Sequence, residues 1–116
     1  MQSHKDLIVW QKSIQLVKEV YLLTEKFPKT EAYGLSSQMK RAAVSIPSNI
    51  AEGYARRHRA EYLQFLRITL GSASELDTQC ILVRELKLVD VQLLVKTEQL
   101  LNEVLRMLNK LISSLK

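Results

Sequence analysis

Glycine, proline, cysteine and aromatic side chains are all scarce in this chain. Its 116 residues include three glycines, two prolines, one cysteine and 6% aromatics. So few turn-formers and ring-bearing residues exclude a sheet-rich fold, while abundant leucine and other good helix formers favour helices. A single cysteine, Cys80, rules out an intramolecular disulfide and suits a reducing, cytoplasmic setting. Apolar runs such as Leu7–Trp10 and Cys80–Val83 are too short to span a bilayer, so no membrane partner is expected. Gln11, Lys12 and Gln15 break up the first apolar stretch, so no signal peptide is expected. The two histidines, His4 and His58, lie far apart and have no metal-ligand spacing. No Glu-x-x-His pair, glycine-rich phosphate loop or recognisable Ser-His-Asp set occurs. No cofactor and no enzymatic activity are therefore expected.

What remains has the length of one domain, residues 1–116, and four stretches of helical periodicity. Ser3 and Asp6 make a capping-box-like start before Leu7. Two apolar series follow: Leu7, Trp10, Ile14, Val17 and Tyr21, then Val9, Leu16, Val20, Leu23 and Phe27. Together they cover about half the circumference of the first helix, so it must touch at least two neighbours. Pro28 ends it. Ser36 is the candidate N-cap of a second helix, whose apolar face is Leu35, Met39, Ala42, Ala43, Ile46 and Ile50. Pro47 predicts a kink there and not a stop, because periodicity resumes at Ile50, with Ser45 and Ser48 near the freed carbonyl. Gly53 falls near its end.

A third helix begins near His58 to Ala60, and Tyr62, Leu66, Thr69, Ala73, Leu76, Cys80 and Val83 keep a heptad-like spacing along it. The small patch Gly71-Ser72-Ala73-Ser74 predicts a close neighbour at Gly71 that offsets its poor helix propensity. Asp90 is the candidate cap of a fourth helix with the stripe Leu94, Leu101, Val104, Leu108, Leu111 and Leu115, flanked by Leu93, Leu100 and Met107. Short connections make consecutive helices antiparallel. The expected fold is all-α, an antiparallel up-down-up-down four-helix bundle with a proline-kinked second helix. A longer helical hairpin completing its core by dimerising is the alternative.

The chain carries a net charge of +5, which suits an anionic partner and equally suits simple solubility. Its basic residues bunch. The segment QMKRAAVSIPSNIAEGYARRHR holds Lys40, Arg41, Arg56, Arg57 and Arg59. Residues 30–60 carry five basic and two acidic side chains, whereas residues 61–89 carry three and four. Clustered guanidinium groups attract phosphates and release counterions. Tyr54 and Tyr62 flank the cluster, placed to stack on an unpaired base. The competing reading is a solvated turn whose arginines pair with Glu52 and Glu61. Arg41, Ser45, Asn49, Glu52 and Arg56 step along one side of the second helix as a polar stripe, roughly opposite its apolar face. Cys80 and Trp10 read as core residues.

Four blocks then stand out in order: Asp6-Leu7 with Val9-Trp10-Gln11; Phe27-Pro28, Glu31 and Tyr33-Gly34-Leu35; Gln38 through Gly53; and Gly71-Ser72-Ala73 with Glu75-Leu76. With these the chain resembles, over nearly its full length, the four-helix-bundle proteins of the 23S rRNA intervening-sequence family. These are bacterial proteins, the first of them encoded within insertions in 23S ribosomal RNA genes. The resemblance implies a small antiparallel bundle that forms ring-like homo-oligomers, pentamers. Through related accessory proteins of diversity-generating retroelements, it also implies contact with nucleic acid and a reverse transcriptase on a basic surface. Carried onto this chain, the nucleic-acid contacts are Lys40, Arg41, Arg56, Arg57 and Arg59. His58 departs from the Ser or Thr that would cap the third helix, although Glu61 keeps its capping-box position. The expected function is a non-enzymatic bundle associated with RNA or DNA. The alternative is a scaffold for a protein partner, such as a separately encoded enzyme.

Overall fold

The computed structural model describes residues 3–31 and 34–116, and it is all-α. Tyr33, part of the second block, lies outside the described residues. There are four long helices, α1 (Ile8–Thr24), α2 (Leu35–Ala55), α3 (Arg59–Glu85) and α4 (Val95–Leu115); 3-10 turns precede α1 at His4–Asp6, lie between α1 and α2 at Lys29–Glu31, and lie between α3 and α4 at Val91–Leu94. The 27 residues of α3 correspond to about 40 Å of helix, close to the 43 Å long axis of the molecule.

The apolar stripes meet in one core. Leu16, Val20, Met39, Ala43, Ile46, Ile50, Leu66, Ala73, Leu76, Val83, Val104 and Leu108 are wholly buried, each large one contributing about 1.5–3 kcal/mol of transfer free energy. Cross-helix pairs fix the register. Lys12 meets Glu103 at 3.0 Å and Glu19 meets Lys96 at 3.4 Å, joining α1 to α4. Ser45 Oγ lies 2.8 Å from Ser72 Oγ, joining α2 to α3. Arg84 grips Glu98 bidentately, Nη1 to Oε2 at 2.9 Å and Nη2 to Oε1 at 2.6 Å, joining the end of α3 to the start of α4. The pairs run in opposite order along the two partners: 12 with 103 and 19 with 96 for α1 and α4, 45 with 72 and 53 with 65 for α2 and α3.

Helix α1 touches both α2 and α4, as its wide apolar arc requires. Its two series fare differently. Val9, Leu16, Val20, Leu23 and Phe27 are buried, while Ile14 and Tyr21 remain 43% exposed. Helix α2 runs through the buried Pro47 without a break.

Several local expectations are corrected. The Ser3–Asp6 capping box forms, but it caps the 3-10 turn; α1 begins one residue after Leu7, which is extended and offers no side-chain cap. Ser36 is buried inside α2, and Gly34 occupies the N-cap position. The Ser45 hydroxyl is taken by Ser72 and Asn49, so it is not aimed at the carbonyl that Pro47 frees. Asp90 precedes the last 3-10 turn and gives no side-chain cap; its carbonyl accepts from Leu93 N–H at 2.9 Å. The polar stripe on α2 is turned toward α3 through Ser45 and Ser72. Gly71 is exposed, with nothing near the position of a Cβ. The close approach is at Gly53, where a Cβ would lie 2.6 Å from Phe65 Cβ and 3.2 Å from Tyr62 Cδ1.

Candidate nucleic-acid interface

The tight turn between α2 and α3 is built on the Gly53 contact, which draws the two helices together just before they join. Arg56 closes α2 in helical conformation. Arg57 then reverses the chain with φ 54°, a left-handed conformation costly for a side chain with a Cβ. His58 is extended and starts α3 without a side-chain cap.

The five predicted contacts divide. Arg56 is engaged inside the protein: its guanidinium meets Glu52 at 3.2 Å and Glu61 at 3.6 Å, and stacks 5.1 Å over the Phe65 ring. Arg59 donates through Nε to the Leu115 carbonyl and through Nη2 to the Lys116 main-chain oxygen at 2.9 Å. It thereby satisfies orphan carbonyls at the end of α4 with a cation where the helix dipole favours one. Arg57 is exposed and, among the described residues, its side chain has no partner. Lys40 lies 5.1 Å over the Tyr21 ring, at the α1–α2 seam. Arg41 lines a polar groove at the α2–α3 seam with Gln38, Ser45, Ser72 and Glu75. Fifteen helical residues, roughly 22 Å, separate Arg41 from Arg56. The structure therefore brings Arg56, Arg57 and Arg59 together and leaves Lys40 and Arg41 elsewhere, on two different seams.

The antiparallel course adds cations that the sequence segment did not contain. The half of the bundle formed by residues 3–14, 48–70 and 102–116 holds Lys5, Lys12, Arg56, Arg57, Arg59, Arg67, Arg106, Lys110 and Lys116 against Asp6, Glu52, Glu61 and Glu103. Nine cations face four carboxylates there, which accounts for the whole net charge of +5; in the remainder, eight of each sign balance. Lys5, Arg57, Arg67, Arg106, Lys110 and Lys116 are exposed and, among the described residues, have no ion pair. Sequence reasoning missed Lys5, Arg106, Lys110 and Lys116 because they are distant along the chain. The signal was the up-down order itself, which returns the start of α1 and the end of α4 to the α2–α3 junction.

A hollow of about 450 Å³ opens at this end, lined by Gly53, Tyr54, Arg57, His58, Arg59, Tyr62, Ser114 and Leu115. Tyr54 and Tyr62 meet edge to face, with ring centroids 5.9 Å apart. The Tyr62 hydroxyl is buried and lacks a hydrogen-bond partner among the described residues. Burial, then the neighbouring Tyr54, raises the Tyr62 phenol above its ordinary pKa, so it is a hydroxyl donor at neutral pH. His58 Nδ1 lies 3.9 Å from Glu61 Oε2, an attraction that exists only when the imidazole is protonated.

Chemistry elsewhere is sparse. Among the described residues, no group of three His, Cys, Asp or Glu side chains is arranged to hold a metal. Cys80 is a buried core thiol, its pKa pushed up to about 12 by burial first and then by the carboxylates of Glu98 and Asp77. It is thus an inert thiol. No helix among the described residues is long and apolar enough to cross a membrane.

Comparison with known proteins agrees with this architecture. A crystal structure of a protein of unknown function from the S23 ribosomal protein family of Bacteroides thetaiotaomicron superposes with TM-score 0.83. The two share 21% identity over 91% of this chain and 96% of that one, a likeness of fold. No curated protein matches the chain. The family model of the 23S rRNA-intervening sequence protein matches residues 5–110. On that match over most of its length, the chain belongs to the 23S rRNA-intervening sequence protein family.

Proposed function

We propose that this protein is a non-enzymatic, self-assembling bundle of the cytoplasm that associates with RNA through its cationic end. The observation that carries the reading is the confinement of the entire net charge to one half of the molecule, around Arg57, Lys110 and Lys116, which are exposed and without an ion pair among the described residues. Arg56 and Arg59 shape that end and do not act as its main contacts, since their guanidinium groups are already engaged. Phosphate neutralisation by such cations releases counterions, so the logarithm of the affinity should fall linearly with the logarithm of salt concentration. A binding titration of single-stranded RNA across salt concentrations tests this. A steep negative slope is expected; binding indifferent to salt would remove the proposal.

Self-assembly has its own support. Trp10, Ile14, Val17, Val44 and Pro47 line an apolar groove between α1 and α2, with Ile14 at 43% and Val44 at 41% exposed. A second apolar area lies at the opposite end, where Leu86, Val91, Leu93 and Val95 are exposed. Two distinct apolar surfaces on one protomer suit head-to-tail contacts, which close into a ring when the rotation permits. The pentamer implied by the family resemblance is a proposal of this kind. Light scattering at micromolar concentration is expected to give a multiple of the 13.4 kDa chain; a monomer mass would contradict it. The same apolar surfaces favour a second reading, in which the bundle is a scaffold for a protein partner. Recovery of a specific protein after nuclease treatment would distinguish that case.

A further inference from the structure

We propose that the hollow at the α2–α3 junction is a pocket for one unpaired base of single-stranded RNA, its phosphate held by Arg57 and the uncapped start of α3. This rests on the reading of the cationic end given above and narrows it from RNA in general to a single strand.

Three independent features of the hollow converge. First, its volume of about 450 Å³ lies within the range of small-ligand sites, and Tyr54 and Tyr62 are among the residues that line it. Aromatic faces accept any base by stacking, which a simple anion site has no use for. Second, the buried Tyr62 hydroxyl has no partner among the described residues. A donor left unpaired in a protein interior is costly, and although the hydroxyl is sealed from solvent, a shift of the Tyr62 side chain on base entry would give it the base edge as acceptor. Third, the anion-attracting groups sit at the rim. Arg57 lines the hollow, and among the described residues its guanidinium has no partner. The backbone N–H groups of the first turn of α3 receive no side-chain cap from His58, and such N–H groups with the helix dipole favour phosphate. Glu61, the acidic residue of that turn, is turned toward Arg56 and His58.

This combination discriminates between forms of RNA. A base inside a duplex has its edge paired and its faces stacked, so it cannot enter the hollow. A duplex would meet only the surface cations. The test measures binding of a short single-stranded oligoribonucleotide and of the same sequence as a blunt duplex, with the wild-type chain and with Tyr54→Leu and Tyr62→Phe. Tyr54→Leu is expected to weaken the single strand about tenfold and leave the duplex unchanged. Tyr62→Phe is expected to weaken the single strand while holding or raising the thermal midpoint, because it deletes an unpaired buried hydroxyl. That variant decides the matter should Tyr54→Leu lose its helical circular dichroism. Equal binding of strand and duplex, insensitive to both substitutions, would overturn the pocket and leave the cationic-end reading standing. Binding of neither RNA would remove both.

Discussion

Alanine at Gly53 is expected to destabilise the bundle by about 1–3 kcal/mol, lowering the thermal midpoint by about 4 °C or more. The new methyl group would lie 2.6 Å from Phe65 Cβ, an atom fixed to its own backbone, and 3.2 Å from Tyr62. No rotamer of Phe65 relieves the first contact, so α2 and α3 must separate. Alanine at Gly71 is expected to do the opposite. That position is open, so the substitution brings only the gain in helix propensity, up to about 1 kcal/mol. Thermal denaturation of the two variants beside the wild type checks both signs. Equal effects at the two glycines would mean that the close approach at Gly53 is absent.

The second large effect concerns charge placement. The triple variant Arg57→Glu, Lys110→Glu, Lys116→Glu is expected to lose RNA affinity by about two orders of magnitude, with a shallower salt slope. The triple variant Lys26→Glu, Lys29→Glu, Lys87→Glu changes the net charge by the same amount, but in the half where charges balance. It is expected to bind nearly as the wild type does, because at physiological salt the field of a surface charge is screened within about 8 Å. Equal losses in both variants would show that overall charge matters and its placement does not. Arg56 and Arg59 are left intact by design. Removing Arg56 would strand Glu52 and Glu61, and removing Arg59 would uncap the end of α4. Either change would confound binding with folding.

Periodicity carries the buried faces of the helices and leaves their ends unspecified. Of the faces read for α2 and α3, Met39, Ala42, Ala43, Ile46 and Ile50, then Leu66, Thr69, Ala73, Leu76, Cys80 and Val83, are buried, while Leu35 and Tyr62, in the first turn of each helix, are only partly so. A repeat near 3.6 residues reports a helical face directly. Caps were not readable to the same degree. Ser3 and Ser36 have the right chemistry, but a cap depends on which residue first takes helical dihedrals, and Leu7 and Gly34 occupy those places. The two helical glycines exchanged roles for a similar reason. Whether a glycine is needed depends on where helices cross, and α2 meets α3 at Gly53, while Gly71 faces solvent.

The candidate site was half legible. The cluster at Arg56 to Arg59 stands out as a run in the sequence, but its division of labour does not. Glu52 sits one turn before Arg56 and Glu61 lies just across the junction, so the most conspicuous arginine is the one already neutralised. The end of α4 claims Arg59 from 56 residues away, a contact that only the antiparallel course creates. Lys40 and Arg41, neighbours in sequence, point about 100° apart on a helix, which explains their separate seams. The same course brings Lys5, Lys110 and Lys116 into the half that holds the junction, with Arg106 at its inner edge, and turns a short basic run into a cationic end.

Photo-crosslinking of the assembled protein to thiouridine-substituted single-stranded RNA, followed by peptide mass spectrometry, tests that end most directly. It works whatever the oligomeric state. The account predicts crosslinked peptides from residues 54–62 and from the end of α4, residues 106–116, and none from the α3–α4 turn. Crosslinks concentrated at residues 86–95, or spread evenly over the four helices, would contradict it.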